Sequence, residues 1–326
     1  MKNQGYWPRM KVLVTGGAGF IGSHVVDALV RRECDVVVYD NFSTGFAHHL
    51  QPGRGPGRVE VIQGDILDQE SLTLAMADVS RVFHLAANAD VRGGQKNTAV
   101  DLEQNVIGTH RVLEAMRTAG AKEIVFTSSA TVYGEPDIFP TPEQYAPLQT
   151  SVYGASKLAA EAYIQAYGEY FGIRSHTFRF VSWIGERYSH GVIYDFMKKL
   201  RKDPRNLEIL GDGNQRKSYL HVDDGIEGIF LAVDKMQGLK NIINLGHEDF
   251  LNVKEVARIV CDEMGLTNVK FHFTGGVRGW LGDSPFVHLD ISRIKGVGFR
   301  PQVSIEAGIR RTVRWLLANE WILEAR

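Results

Sequence analysis

The chain is poor in the features that mark several protein classes. It has two cysteines in 326 residues, Cys34 and Cys261, far apart and in apolar surroundings. Two such residues exclude a disulfide framework and read as free thiols in a reducing cytoplasm. No cluster of cysteine and histidine has metal-ligand spacing, so no metal site is expected. No apolar run approaches the roughly 20 residues needed to span a bilayer. The formal charge is -1, which offers no field to nucleic acid or to an anionic membrane surface. The first residues, MKNQGYWPRMK, lack an apolar signal core and read as a short loose extension. Internal repeats and low-complexity tracts are missing too.

What is present fits a soluble α/β protein. Hydrophobic residues are 44% and charged residues 23%, ordinary for a globular chain. The length suggests two domains, or one large α/β unit with a lobe attached. The first third reads as a dinucleotide site. KVLVT at 11–15 is a short β-branched run, expected as a buried parallel strand. GGAGFIGSHVVDALVRR follows, with Gly16, Gly19 and Gly22 in a G-x-x-G-x-x-G pattern before an amphipathic helix. Gly16 suits the tight turn, Gly19 the approach of backbone to a pyrophosphate, and Gly22 close packing of helix on sheet. Phe20 and Ile21 belong to the same helix N-terminus, whose unpaired N–H groups suit phosphate. A second strand, DVVVY, ends at Asp40-Asn41. Asp40 is placed to bond the adenosine ribose of NAD and to repel the extra phosphate of NADP; the other reading is a turn residue. Asp65-Ile66 ends a third strand, where Asp65 either bonds the adenine amino group or caps the next helix. A fourth strand, 82–85, ends at Leu85, and Ala86 and Ala87 follow it with side chains small enough for backbone to lie near a cofactor. Asn105 falls inside an expected helix over 100–119, where propensity disfavours it; it is either a surface residue or a polar group facing the strand ends.

The middle of the chain carries the chemistry. EIVFT at 123–127 is a fifth strand, and SSATVYG follows at its carboxyl end, where open α/β sheets bind ligands. A Pro-rich loop leads to SVYGASK, in which Tyr153 and Lys157 are four apart on an expected helix and share one face. A phenol has an ordinary pKa near ~10, and a neighbouring ammonium lowers it. Tyr153 could then take a proton from an alcohol. A tyrosine–lysine pair at this spacing is also common as a plain surface pair.

TGGAGFIGSH, Asp40-Asn41, Gly64-Asp65, HLAA at 84–87, SSATVYGE and YGASK, in this order, resemble the extended short-chain dehydrogenase/reductases, in particular the NAD-dependent nucleotide-sugar epimerase/dehydratase group. LGDGNQRKSYLHVDD resembles its G-D-G-x-x-x-R-x-Y-x-H-V-x-D segment, and the last third resembles its C-terminal signature. The resemblance runs from Lys11 to about Trp315. It implies a Rossmann-type doubly wound parallel sheet with a smaller α/β substrate lobe: 1–182 binding NAD, with 224–246 returning to it, and 183–223 and 247–326 binding the nucleotide sugar. It implies Ser129, Tyr153 and Lys157 as the catalytic trio, with Tyr153 and Lys157 also touching NAD, and Thr131 near the sugar. The group's 4,6-dehydratases carry an Asp-Glu pair where this chain has Ala130 and Thr131, which favours a 4-epimerase. Ser182 stands where many epimerases have asparagine.

Arginine holds phosphate oxygens with a planar fork. Arg216 is matched to the group's diphosphate-binding arginine, Asp283 to its acid near the nucleoside ribose, and Arg278 to a shifted phosphate ligand, since Trp280 occupies the usual arginine position. Solvated surface arginines and a turn aspartate are the plain alternatives. The helices over 100–119 and 156–171 are expected either to pair with a second subunit as a four-helix bundle, as is common in the group, or to cover only their own sheet. The expectation is a cytoplasmic homodimer acting on a UDP-sugar at C4, with NAD recycled. The alternatives are another nucleotide-sugar epimerase, decarboxylase, reductase or dehydratase, and a non-catalytic NAD-binding regulatory module.

Overall fold

The computed structural model describes residue 7 and residues 9–50 and 55–325. Most of the N-terminal extension, and residues 51–54 of the loop after Asp40, lie outside the described residues. Trp7 lies inside them, and it is not loose. It is buried, its indole N–H donates to Asp234 Oδ1 at 2.8 Å, and its ring meets Phe230 edge-on at 5.1 Å. The Arg81 guanidinium stands over the same ring at 4.1 Å. A buried indole with its N–H satisfied is held in place at both its apolar and its polar end.

The sheet begins with β1 (Lys11–Thr15), followed by helix α1 (Phe20–Arg31), β2 (Asp35–Asp40) and β3 (Arg58–Gln63). Helix α2 (Gln69–Ala75), β4 (Arg81–His84), helices α3 (Thr98–Asp101) and α4 (Gly108–Ala119), β5 (Glu123–Ser129), α5 (Val152–Phe171) and β6 (Arg174–Phe180) complete the half. Seven strands form one sheet in the order Lys240–Leu245, β6, β5, β4, β1, β2, β3. The run from β3 to β5 pairs in parallel, with Leu13 opposite Val37 on one side and Val82 on the other. Strands flanked on both sides need apolar residues on both faces, which is why β1, β2, β4 and β5 read as unbroken hydrophobic runs. Leu13, Val37, Val82, Ile124 and Phe126 pack with Leu72, Met76, Leu113, Met116 and Ile164 from the helices. Each such side chain contributes about 1.5–3 kcal/mol on burial. Strand order reverses between β1 and β4, and ligands of doubly wound sheets bind beyond the carboxyl ends at that point.

Two local features differ from the simplest reading. The expected helix over 100–119 is not one α-helix: a π-helical stretch, Leu102–Ile107, stands between α3 and α4. The wider turn carries Asn105, and such turns concentrate at functional sites. Helix α5 starts where Ser151 Oγ accepts from Gly154 N–H at 3.0 Å and stops at Gly172, whose φ is +67°. Those two signals fix which turn carries Tyr153.

The chain divides into two compact units. The first ends at Val132 and regains Ser151–Arg179 and Ile226–Ile243; the second holds Tyr133–Thr150, Phe180–Gly225 and everything from Asn244 onward. Residues 133–150 thus leave the first unit, where the sequence placed them. Asn244 explains this, since Tyr133 OH donates to its Oδ1 at 2.7 Å and its Nδ2 donates to Thr141 O at 2.9 Å. The second unit also contains short strands, among them Ser182–Ile184, Arg216–Lys217 and Phe286–Val287. Helix Val253–Glu263 opens with a reciprocal cap between Asn252 and Glu255. No described helix is long and apolar enough to cross a membrane.

Candidate active site

The turn from β1 to α1 is built for close approach. Gly16 has φ +70°, and a Cβ there would stand 2.6 Å from Ala86 N. A Cβ on Gly22 would overlap the carbonyl oxygen of Gly16. Helix α1 starts at Gly19 with no side chain capping it, an end that suits an anionic ligand. A glycine-lined helix N-terminus of this kind fits the pyrophosphate of a dinucleotide. Phe20 is buried and Ile21 half-buried beside it.

Asp40 is buried, and its carboxylate is already engaged. Oδ2 accepts from Ala18 N–H at 2.9 Å and Oδ1 from Phe42 N–H at 2.8 Å. It therefore ties the glycine turn to the end of β2. Burial raises its pKa against the pull of these two bonds. Asn41 Nδ2 donates to Asp65 Oδ2 at 2.9 Å. Asp65 does not cap α2; Asp68 does, accepting from Ser71 N–H at 3.2 Å. Ile66 is buried, facing Gly108. Leu85 and Ala86 are held to β1 through Thr15, whose carbonyl accepts from Leu85 N–H and whose hydroxyl accepts from Ala86 N–H at 3.2 Å. Ala87 follows, half-buried. Asn105 is buried, not a surface residue. Its Oδ1 accepts from Asn88 N–H at 2.8 Å, and its Nδ2 donates to Ser156 Oγ at 2.9 Å.

The three expected catalytic residues lie together in the first unit. Ser129 ends β5 and hydrogen-bonds Tyr153 in the first turn of α5. Thr131 donates to Ser129 Oγ from its hydroxyl at 2.9 Å and from its N–H at 3.2 Å. Strand alternation sends the preceding Ser128 the other way. Its hydroxyl donates to Glu161 Oε1 at 2.5 Å, and Glu161 is paired with Arg179 at 2.7 Å inside the protein. One turn along α5 from Tyr153, Lys157 is buried, donates to Thr127 O at 3.0 Å and stands 4.9 Å from the Phe126 ring.

The electrostatics depart from the expectation of a phenol lowered by its lysine. Burial pushes Tyr153 up to about 12, against the downward pull of Ser129, and Asp101 adds to the rise. Burial pushes Lys157 down to about 8, opposed by Asp101 and Glu161. Desolvation outweighs local attraction because it penalises whichever form of each group is charged. Nearby His84 is driven to about 3 by burial and by Lys157, so it is neutral, bridging Thr15 Oγ1 at 2.7 Å and Thr109 Oγ1 at 3.0 Å.

In the second unit the neighbours Arg216 and Lys217 diverge. Arg216 is exposed and lies over the Phe286 ring at 4.0 Å and the Phe250 ring at 5.5 Å. Lys217 reaches the buried Asp283 at 2.6 Å and also donates to Ser284 O. Asp283 Oδ2 accepts from Gly279 N–H at 3.1 Å. The sequence pointed to Arg216, yet the inward cation is Lys217. Counting from Gly213, the arginine position of G-D-G-x-x-x-R is Lys217, and that count was the missed signal. Arg278 is turned to Glu135, with two contacts of 2.7 Å. Ser182 is exposed, while Trp183 is buried against Phe180 and Gly225. Among the described residues, Glu186, His221 and Asp223 have metal-like spacing. Arg311 already donates to both carboxylates at 2.9 Å.

Comparison with known proteins adds the relatives. The model of the NAD dependent epimerase/dehydratase family matches residues 12–246. A UDP-glucose 4-epimerase of Mycolicibacterium smegmatis is 32% identical over 94% of this chain and 98% of its own length. A UDP-glucose 4-epimerase of Thermotoga maritima, solved with UDP-glucose, is 30% identical with a TM-score of 0.87, over 95% of this chain and 100% of that one. A UDP-glucose 4-epimerase of Thermus thermophilus, solved with NAD, is 32% identical with a TM-score of 0.84, over 94% and 99%. Nucleotide-sugar decarboxylases and dehydratases also match.

Proposed function

This chain belongs to the NAD dependent epimerase/dehydratase family, and from that footing we propose that it epimerises a UDP-sugar at C4. The sugar passes through a transient 4-keto form, and NAD is recycled. When bound, NAD supplies a reversible hydride acceptor. Gly16, Gly19 and Gly22 would hold its pyrophosphate, Asp40 the adenosine ribose and Lys157 the nicotinamide ribose. Tyr153 takes the proton from the C4 hydroxyl and later returns it. Ser129 orients the C4 oxygen, and Thr131 fixes the Ser129 hydroxyl. Lys217 and Asp283 would bind the nucleotide of the substrate.

One observation carries the reading of epimerisation. The Tyr153 phenol meets a short hydroxyl relay, Ser129 to Thr131, with a buried methyl at Ala130 between them. Such a site can move a proton at an oxygen but has no acid at 130 or 131 to drive elimination. UDP is favoured because the epimerase relatives above carry it in their names. The test is a panel of UDP-, GDP-, dTDP- and CDP-sugars with products resolved by NMR. The expected product is a C4 epimer of a UDP-sugar, with nicotinamide absorbance unchanged at equilibrium. A 6-deoxy-4-keto product, or loss of carbon dioxide, would overturn it.

We also propose a homodimer formed through α5 and the segment from α3 to α4. Leu102, Ile107, Tyr163, Tyr170 and Phe171 are exposed there, more apolar surface than a solvated helix pair needs. Light scattering should give twice the chain mass, reduced to one by Tyr170→Glu with Phe171→Glu.

A further inference from the structure

We propose that Asp101 is a positioning residue for Tyr153 and Lys157, acting as the buried counter-charge that keeps the Lys157 ammonium protonated during turnover. The inference rests on the reading that these two residues act at the sugar hydroxyl.

Asp101 is fully buried at the last residue of α3, immediately before the π-helical turn. Its Oδ1 accepts from Asn88 Nδ2 at 2.8 Å and from Asn105 Nδ2 at 3.2 Å. Its Oδ2 has no hydrogen-bond partner. A buried carboxylate with an empty oxygen is costly unless a cation compensates it. A chain of neutral contacts leads from it to α5. Asn105 Nδ2 continues to Ser156 Oγ at 2.9 Å, and Ser156 Oγ donates to Tyr153 O at 2.8 Å. Asp101 is thereby linked to the turn of α5 that carries the tyrosine and the lysine. The space is made by Gly94, where a Cβ would stand 3.0 Å from Asp101 Oδ2 and 3.4 Å from Val152 Cβ.

Burial raises the pKa of this carboxylate; the Asn88 amide opposes the rise, Asp90 from the loop after β4 adds to it, and Lys157 from α5 pulls it down. The titratable groups acting on Lys157 are Asp101, Glu161 and His84. Glu161 is shared with Arg179 and Ser128, and His84 is neutral. Asp101 is the carboxylate whose charge is not otherwise claimed. Its field raises Lys157 toward the ordinary ammonium value, which keeps the cation in place near neutral pH. The π-helical turn gives the reason for the local distortion: it lets Asn105 reach both Asp101 and Ser156.

The test is Asp101→Asn, which keeps shape and removes charge. Lys157 Nζ is titrated by nitrogen-15 NMR of the NAD-loaded protein, assigned with Lys157→Met, alongside the pH profile of kcat/KM. The Lys157 titration and the alkaline limb are both expected to move down by about one pH unit. A loss of rate with both midpoints unmoved would mean a merely structural role and overturn the inference. In the wild-type protein the Asp101 carboxyl carbon should have the shift of an ionised group at pH 7; a protonated group there would overturn it equally, without any variant needing to fold. Because the Lys157 titration needs no turnover, it is decided separately from the proposed reaction, which fails if Tyr153→Phe turns over as well as wild type.

Discussion

Lys157 Nζ donates to the carbonyl oxygen of Thr127 at 3.0 Å, so the helix that carries the lysine is pinned to the end of the strand that carries Ser129. The bond spans 30 positions of sequence. It holds a buried ammonium whose pKa has fallen to about 8.

That burial works against stability. Lys157 binds its proton more weakly folded than unfolded, so its cost is full below about 8 and fades as pH rises toward the ordinary 10.5. Lys157→Met should therefore lower kcat by at least ~100-fold and, combined with Asp101→Asn so that no buried carboxylate loses its cation, leave the melting temperature at pH 7 equal to wild type or higher. Calorimetry on the variants and wild type, with initial rates, checks both halves. A melting temperature well below wild type would show that the bond to Thr127 outweighs the buried charge.

His84 sets an acid limit. Its folded value of about 3 lies below the ordinary 6.5, so the unfolded chain takes up the proton first. Each pH unit below 6.5 should remove about 1.4 kcal/mol of stability, down to roughly pH 3. His84→Gln, which can still bridge two hydroxyls, should unfold at lower pH than wild type. Circular dichroism through an acid titration measures it.

Gly16→Ala should abolish NAD retention. The new Cβ meets Ala86 N at 2.6 Å on a backbone of φ +70°, so strain and overlap together cost about 2–5 kcal/mol. Gly120→Ala is the control, since φ is +82° but nothing lies within 4 Å. It should lose only the backbone cost, about 1 kcal/mol, and bind NAD normally by fluorescence titration.

Lys217 and Arg216 should separate in kinetics. Lys217→Met leaves the carboxylate of Asp283 buried without its cation and should raise KM for a UDP-sugar at least ~10-fold, with a lower melting temperature. Arg216→Ala loses an exposed stack on Phe286 and should change KM by no more than about threefold. Equal effects from both would place the substrate against Arg216 as well.

Much was legible in sequence because it depends on local chemistry. The glycine spacing, the acid at the end of β2 and the four-residue interval from Tyr153 to Lys157 each fix a geometry within one turn or one strand. Seven parallel strands follow from apolar runs that alternate with helices. The resemblance of ordered motifs then reached the family directly. What the sequence could not decide were quantities set by distant neighbours. Whether Arg216 or Lys217 faces inward depends on the strand's pairing register, which one added residue reverses. Whether the Tyr153 pKa falls or rises depends on how much water the fold removes from the phenol, and desolvation proved the largest influence on it. Asp101 gave no motif at all; only folding removes it from water and leaves one of its oxygens empty. Sequence determined which groups are available and in what local order, because backbone sterics and hydrophobic period act over a few residues. Tertiary structure decided which of them are charged and which way they point, because electrostatic cost is set by everything packed around a site.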